Sequence, residues 1–313
     1  MDGLTGQSAL IIGATGFLGS HLATRLTDAG CKVHGISRDL SKGGSAVQWW
    51  AGDATNFEWL RGVMTQVKPG VVYNLASAGR GEQRVDLVLP TFENDLRTTV
   101  NTLVAAQEAG CGRVVITRSL DEPLTAGQAA ASPYAAAKLA SGIYGKLFSE
   151  MFGLPVVMLR PFMTYGPGQK SHKVLPYVIA CMLKGESPVL GSGDRLVDWI
   201  YVDDVIAALV CAATAPDAAG AEIDLGSGTM ISIRDAVDQI QMLIPGAPAA
   251  LFRPQPDRSK EQIRTADLDR AKQLLGWAPK TSLLDGLTQT IGWYQARLSI
   301  SQTAREAGYT CAS

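Results

Sequence analysis

The sequence contains few of the residues that build metal centres or disulfide frameworks. Its 313 residues include five cysteines, an odd number with no CxxC pair, and three scattered histidines. A zinc site built from His and Cys is therefore not expected, and we predict no metal. The cysteines are instead predicted to be free thiols in a reducing compartment.

Neither sign of charge is in excess, since 28 Lys and Arg stand against 29 Asp and Glu. This balance gives no reason to expect nucleic acid or an acidic membrane surface as a partner. The longest apolar run, Val205–Ala215, is too short to span a bilayer. The first residues lack a basic segment followed by a long apolar run, so no signal peptide is expected. We therefore expect a cytoplasmic protein that does not enter a membrane.

Short apolar runs alternate with helical patterns over residues 1–160. This alternation predicts an α/β fold, a doubly wound parallel Rossmann sheet with right-handed crossovers. The predicted strands are Ser8–Ile12, Lys32–Ser37, Val71–Leu75, Arg113–Thr117 and Pro155–Leu159, and the predicted helices are 17–29, 91–109 and 132–152.

Glycine and proline become frequent after residue 160, and the strand–helix alternation ends there. We predict that 1–160 is an NAD(P)-binding domain. Residues 161–313 then form mainly a smaller C-terminal substrate-binding lobe, interleaved with the end of the sheet. Helices are predicted in this lobe at 173–184, 203–214, 232–243, 267–275 and 283–297.

Three glycines, Gly13, Gly16 and Gly19, lie between the first predicted strand and the first predicted helix. Glycines at such a turn let the backbone approach a pyrophosphate, and the helix start offers free N–H groups. An ordinary glycine-rich turn is the alternative interpretation. The spacing predicts a dinucleotide site that includes the intervening and following residues Thr15, Phe17 and Leu18.

The residues after the second predicted strand bear on the choice of dinucleotide. An acidic residue at this point suits the ribose of NAD, whereas an arginine suits the 2′-phosphate of NADP. Ser37 and Arg38 favour NADP, although Asp39 is close enough to serve a ribose and Arg38 is alternatively only solvated. Further along, Asp53 with its neighbour Ala54 is predicted to meet the adenine, or alternatively to lie at a helix start.

Tyr134 and Lys138 lie four positions apart at the start of a predicted helix, so they share one helical face. A free phenol ionises near pH ~10. A neighbouring ammonium and a positive nicotinamide ring favour the phenolate, so we expect them to lower the Tyr134 pKa. Tyr134 is thus predicted to exchange protons with a substrate hydroxyl, unless the pair is merely a surface Tyr and Lys.

Ser119 follows the predicted strand Arg113–Thr117, at the edge of the sheet where ligands bind in such folds. Its hydroxyl is predicted to bridge Tyr134 and a substrate oxygen. The alternative is a serine that caps a turn.

Several segments, in order along nearly the whole chain, resemble motifs of the extended short-chain dehydrogenase/reductase family. The resemblance is to its nucleotide-sugar epimerases, dehydratases and reductases. The segments are GATGFLG (13–19), NLAS (Asn74–Ser77), SPYAAAK (132–138), LRPFMTYGPGQ (Leu159–Gln169), VDWIYVDDV (Val197–Val205), IDLGSG (Ile223–Gly228) and LLGWAP (Leu274–Pro279).

The resemblance implies site residues beyond those above. Leu75, Ala76 and Ser77 would line the ribose side of the cofactor, Asn94 would support the active site, and Pro161 would pack near the nicotinamide. Arg258 is the candidate that grips the nucleotide diphosphate, with Arg253 as a rival. Two positions depart from the family pattern: Met163 replaces a substrate-binding Asn, and Val197 replaces an Arg, for which Arg195 is the nearest substitute.

The implied substrate is a nucleotide-diphosphate sugar, and the implied assembly is a homodimer. Two reactions compete: 4-epimerisation, and reduction of a 4-keto-6-deoxy sugar. The 4,6-dehydratases carry T-D-E after the fifth strand, and this chain has Ser119-Leu120-Asp121-Glu122 there. With Leu120 taken as the acid position, dehydration is disfavoured. Asp121 or Glu122 remains available as an alternative acid or base. A non-catalytic dinucleotide sensor is the other alternative, which the retained Tyr134 and Lys138 disfavour.

Overall fold

The computed structural model describes residues 4–41, 43–77, 81–123, 127–253 and 263–306. Its strands are β1 Ser8–Ile12, β2 Lys32–Ser37, β3 Gln48–Ala51, β4 Val71–Asn74, β5 Arg113–Thr117, β6 Val156–Pro161, β7 Met163–Tyr165, β8 Val189–Leu190, β9 Leu196–Tyr201, β10 Glu222–Leu225, β11 Met230–Ser232 and β12 Leu251–Phe252. Its α-helices are α1 Phe17–Asp28, α2 Phe57–Val67, α3 Val88–Thr91, α4 Thr98–Glu108, α5 Pro133–Phe152, α6 Val174–Leu183, α7 Val202–Thr214, α8 Ile233–Leu243, α9 Leu268–Leu275 and α10 Leu283–Glu306.

Seven strands form one parallel sheet in the order β10-β6-β5-β4-β1-β2-β3. The order reverses between β1 and β4, which places a cleft at the carboxyl ends of these two strands. The predicted doubly wound parallel fold is confirmed. β3 and α2 complete the alternation that the sequence showed only in part.

The sheet is covered on both faces because its strands are apolar on both sides. In β1, Ala9 and Ile11 belong to one hydrophobic cluster, and Leu10 and Ile12 belong to the other. Helices α1 and α7 pack against each other on the Ile11 side. Helices α2 and α4 pack together on the Leu10 side. This double burial explains the uninterrupted apolar runs.

The C-terminal half enters the sheet and also builds small sheets of its own. β10 extends the large sheet next to β6, and α7 lies on the sheet with α1. A three-stranded sheet, β11-β9-β7, and a two-stranded sheet, β12-β8, lie outside it. Among the described ranges, no helix is long and apolar enough to cross a membrane.

Helix α5 carries the predicted tyrosine and lysine, and local chemistry fixes both of its ends. The Ser132 hydroxyl accepts a hydrogen bond from the Ala135 amide at 3.1 Å, and Pro133 occupies the first turn. The helix ends at Gly153, in the left-handed conformation with φ of 67°. Such a cap and stop hold the first turn of the helix, and therefore Tyr134, in place.

A π-helical segment, Phe92–Arg97, joins α3 to α4. The sequence predicted a plain helix over 91–109, because hydrophobic periodicity does not distinguish a wider turn. The extra residue in a π turn rotates the following side chains relative to an α-helix. This rotation bears on which residue of the segment faces α5.

Candidate active site

The glycine turn after β1 leaves room for a ligand because side chains are excluded from it. Gly13 has φ of +82°, and a Cβ there would lie 2.9 Å from the Ala76 amide nitrogen. A Cβ on Gly19 would overlap the Gly13 carbonyl oxygen. The described residues offer no side-chain cap to the start of α1, so its first amides are available to an anion. The turn therefore fits the pyrophosphate of a dinucleotide.

The end of β2, which would meet the adenosine, carries a hydroxyl rather than a carboxylate. The Ser37 hydroxyl lies 2.8 Å from the Thr15 hydroxyl and donates to the Asp39 carbonyl oxygen at 2.8 Å. The Arg38 guanidinium donates to Asn94 Oδ1 at 3.2 Å and lies 3.9 Å from Asp53. Because the Arg38 side chain remains 69% exposed, this cation is still accessible to a phosphate.

Asp53 caps a turn, whichever ligand it meets. Its Oδ1 accepts a hydrogen bond from the Thr55 amide at 2.9 Å, while Asn56 is the residue that caps α2. Helix α4 holds the same loop, because the Asn101 side chain donates to the carbonyls of Ala54 and Thr55 at 3.0 and 2.9 Å. The sequence analysis missed Asn101.

The three predicted catalytic residues come together at the carboxyl end of β5. The Tyr134 hydroxyl is hydrogen-bonded to the side chains of Ser119 and Ser77. Nζ of Lys138 lies 5.8 Å from the centre of the Tyr134 ring, and it donates to the Thr117 carbonyl at 3.1 Å. A substrate hydroxyl at this point would contact the hydroxyls of Ser119 and Tyr134. The Tyr134 ring in turn lies beside the buried ammonium of Lys138.

The groups of the protein itself raise the Tyr134 pKa, and the lowering expected from the Lys138 ammonium together with a positive nicotinamide ring stays a prediction. Burial raises the Tyr134 pKa well above its ordinary value, and the carboxylates of Asp95 and Asp121 raise it further. The hydrogen bonds from Ser119 and Ser77 only partly oppose this rise. Lys138 itself lies 3.6 Å from the carboxylate of Asp95.

The residue of the π-helical segment that reaches the Tyr134–Lys138 pair is Asp95. Its side chain is buried, whereas Asn94, the residue implied by the resemblance, donates to the Pro90 carbonyl at 2.7 Å and accepts from Arg38. Asn94 thus lies beside Arg38. One signal in the sequence was overlooked: Asp95 is an acidic residue within a predicted helix, at a position that helix packing buries.

A cluster of alternating charges, buried or partly buried, lies next to Ser119. Three arginines and three carboxylates converge from β5, β6, β10 and the segments beside them, and we call this set the charge cluster. Glu122 is 2% exposed as a side chain, and Arg118 is 6% exposed. The members are Arg118, Glu122, Arg160, Glu222, Asp224 and Arg264.

The charge cluster reaches the predicted catalytic serine through Glu122. One carboxylate oxygen of Glu122 accepts the Ser119 amide at 2.7 Å, and the other pairs with the Arg118 guanidinium. A Cβ on Gly142 of α5 would overlap that guanidinium. Glu122 therefore fixes the backbone of Ser119, and it is not free to act on a substrate.

Leu120 and Asp121, neighbours in the loop after β5, lie in different environments. Leu120 is 8% exposed and packs in the hydrophobic core. Asp121 is partly exposed and acts electrostatically on Tyr134. The loop thus turns Leu120 inward and brings Asp121 near Tyr134, and the assignment of the acid position to Leu120 stays a prediction.

The remaining predicted residues are spread around the cleft. Leu75 and Ala76 line the turn opposite Gly13. Pro161 ends β6, and Met163 begins β7 opposite Trp199. Arg195 precedes β9, and its carbonyl accepts the Ile233 amide at 3.0 Å. Arg258 lies outside the described residues, and its rival, Arg253, is exposed beside β12.

Comparisons with known proteins agree with this geometry. Residues 9–226 match the family described as the NAD dependent epimerase/dehydratase family. A UDP-glucose 4-epimerase from Mycolicibacterium smegmatis is 30% identical, over 91% of this chain and 98% of that protein. A dTDP-glucose 4,6-dehydratase from Shigella flexneri is 29% identical, over 59% of this chain and 53% of that protein.

A similar fold is found among solved structures. The structure of an epimerase from Methanothermobacter thermautotrophicus superposes with a TM-score of 0.85. The two sequences are 24% identical, and the match covers 96% of each chain. This likeness concerns the fold.

Proposed function

The chain belongs to the NAD dependent epimerase/dehydratase family, and we propose that it transfers hydride at a carbon of a nucleotide-diphosphate sugar, commonly C4. The sequence-based prediction of an NAD(P)-dependent enzyme of the nucleotide-sugar group is confirmed at the family level. The observation that carries the proposal is the convergence of Tyr134, Ser119 and Lys138 beside the glycine turn.

The proposed roles follow from these contacts. Gly13, Gly16 and the start of α1 would hold the pyrophosphate, and a bound nicotinamide dinucleotide supplies or accepts the hydride. Tyr134 exchanges a proton with the sugar oxygen. Ser119 orients that oxygen through its own hydroxyl, and Lys138 lies beside the ring of Tyr134.

Cofactor choice separates two outcomes of the same step. Ser37 at the end of β2 and the accessible cation of Arg38 support NADP, which suits a reductase that consumes NADPH. Similarity to a UDP-glucose 4-epimerase supports an enzyme that recycles its cofactor. We propose NADP as the preferred dinucleotide.

The decisive experiment is mass analysis of nucleotides released when the purified protein is denatured, followed by titration with NADH and NADPH. A protein that holds NAD tightly and interconverts UDP-glucose with its C4 epimer would be an epimerase. A protein that releases no nucleotide, prefers NADPH in the titration and reduces a dTDP-4-keto-6-deoxy sugar would be a reductase. Binding of neither dinucleotide would contradict both.

Asp121 favours a second candidate, 4,6-dehydration. Its carboxylate acts on Tyr134 and is not a member of the charge cluster, and the similarity to a dTDP-glucose 4,6-dehydratase covers 59% of this chain and 53% of that protein. Incubation with dTDP-glucose tests it. Formation of a 4-keto-6-deoxy product that is lost in Asp121→Asn would support dehydration, and unchanged dTDP-glucose would exclude it.

We propose a homodimer formed through α5 and the helical run before it. The surface of these helices carries exposed apolar side chains, which a dimer interface would remove from water. They are Val88, Leu89, Phe92, Ile143, Tyr144, Leu147, Met151 and Phe152. Light scattering tests this: Ile143→Asp should yield monomers, whereas Met242→Asp, an exposed apolar position on α8, should not. The cytoplasmic location stays a prediction.

A further inference from the structure

A buried carboxylate stands behind the Tyr134–Lys138 pair. The Asp95 side chain is 0% exposed, and its Oδ1 lies 3.6 Å from Lys138 Nζ. The Asp95 carbonyl accepts hydrogen bonds from the Thr99 hydroxyl at 2.6 Å and the Ser141 hydroxyl at 3.4 Å. Asp95 is thus held from its own helical run and from α5.

The charges that face Tyr134 come from every element packed against it. Its own helix supplies the Lys138 ammonium, the π-helical segment supplies Asp95, and the loop after β5 supplies Asp121. Ser119 and Ser77 contribute neutral hydrogen bonds. Lys173 in turn lies in the field of Asp121 and Glu82.

Lys138 and Asp95 are both buried and form an ion pair, so the field of one largely cancels that of the other. The ammonium therefore stabilises a Tyr134 phenolate far less than it would alone. Burial of Tyr134 also disfavours its phenolate. The Lys138–Asp95 pair has no net positive charge that would offset this effect.

We propose that Asp95 is a positioning residue that neutralises Lys138, so that Tyr134 keeps its proton and the site is prepared to donate it. This inference rests on the proposed role of Tyr134. It favours the reductive direction, in which a keto sugar takes a hydride at carbon and a proton at oxygen. The raised Tyr134 pKa, caused first by burial and then by Asp95, supports it.

Four proteins test the proposal, each carrying a fluorinated tyrosine at position 134, whose phenol is intrinsically more acidic. Fluorine NMR then reports ionisation at this position alone. Relative to the parent, Asp95→Asn should lower the ionisation midpoint by about 1 to 3 pH units, the shift expected when a nearby like charge is removed. Lys138→Met should raise it. The double variant should return close to the parent midpoint.

Glu93→Gln is the matched control, because Glu93 lies in the same π-helical segment but pairs with Arg97 at 2.9 Å on the exposed side. It should leave the midpoint unchanged. An Asp95→Asn midpoint equal to that of the parent would overturn the proposal. So would a double variant that titrates like Lys138→Met.

Loss of one partner of a buried pair destabilises, whereas removal of both is tolerated better. If Asp95→Asn does not fold, the comparison of Lys138→Met with the double variant still decides. The titration needs neither cofactor nor sugar. A protein that titrates as expected but transfers no hydride would therefore refute the proposed function alone.

Discussion

The two ends of the predicted cofactor cleft differ in how far their charged side chains are exposed to solvent. At the adenosine end, the Arg38 and Asp53 side chains are 69% and 45% exposed and lie 3.9 Å apart. At the catalytic end, Lys138 and Asp95 are 4% and 0% exposed, and Glu122 is 2% exposed. Exposed charges are screened by solvent, while buried ones act strongly on their neighbours. The first end is therefore suited to choosing a cofactor, and the second to controlling a proton.

The largest effect is expected from Tyr134→Phe. Removal of the hydroxyl deletes the proton carrier, so kcat should fall by about 100- to 10,000-fold, while dinucleotide binding should persist. Turnover and NADPH fluorescence titration measure the two. Tyr144→Phe, on the exposed side of the same helix, is the control. Retained turnover in Tyr134→Phe would refute the assigned role.

Glu122→Gln should act mainly on stability. The variant removes the buried carboxylate of Glu122 from Arg118 and leaves the partly exposed Glu222 as its partner, and breaking a buried pair costs up to about 3 to 5 kcal/mol. A Gln carbonyl still accepts the Ser119 amide, so the surviving folded enzyme should retain most of its kcat. Urea unfolding is the measurement. Glu58→Gln, which breaks the exposed pair with Arg61, is the control and should change the free energy of unfolding by about 0 to 1 kcal/mol. Equal losses of stability in the two variants would contradict the contrast between buried and exposed charges.

Arg38→Ala should change cofactor choice and little else. Loss of one exposed charge-assisted contact should weaken NADPH binding by about tenfold, which is about 1.4 kcal/mol, and NADH binding less. Fluorescence titrations with both dinucleotides give the ratio. Arg61→Ala, an exposed arginine on α2, should alter neither. Equal losses for NADPH and NADH would remove the support for NADP.

The smallest effect is expected at His21, which joins α1 to the loop after β7. Burial lowers its pKa, but the contacts with Asp203 and the Pro167 carbonyl outweigh this, so the pKa lies above its ordinary 6.5. A pKa raised by folding adds stability that is present below pH 6.5 and is lost as the pH rises through the folded value. Thermal melts should show this loss in the parent and not in His21→Gln. A variant with the same pH dependence would contradict it.

Several features of the fold were accessible from the sequence because they depend on local pattern. β1, β2 and β5 have the predicted bounds, since apolar runs and glycine stops mark strands buried on two faces. β3 was missed because its residues, Gln48–Ala51, are partly exposed and do not form an apolar run. The π-helical segment was missed because its residues continue a helical pattern.

The sequence by itself determined the parallel sheet, the glycine turn and the proximity of Tyr134 to Lys138, because each follows from spacing within a single strand, turn or helix. Only the tertiary structure decided which carboxylate reaches that pair, since Asp95 lies 43 positions from Lys138 and is brought to it by helix packing. The same holds for Glu122 and Arg160, which meet only because β5 and β6 are neighbouring strands of the sheet. Proton affinity depends on burial and on charges from several elements, and no single segment carries that information.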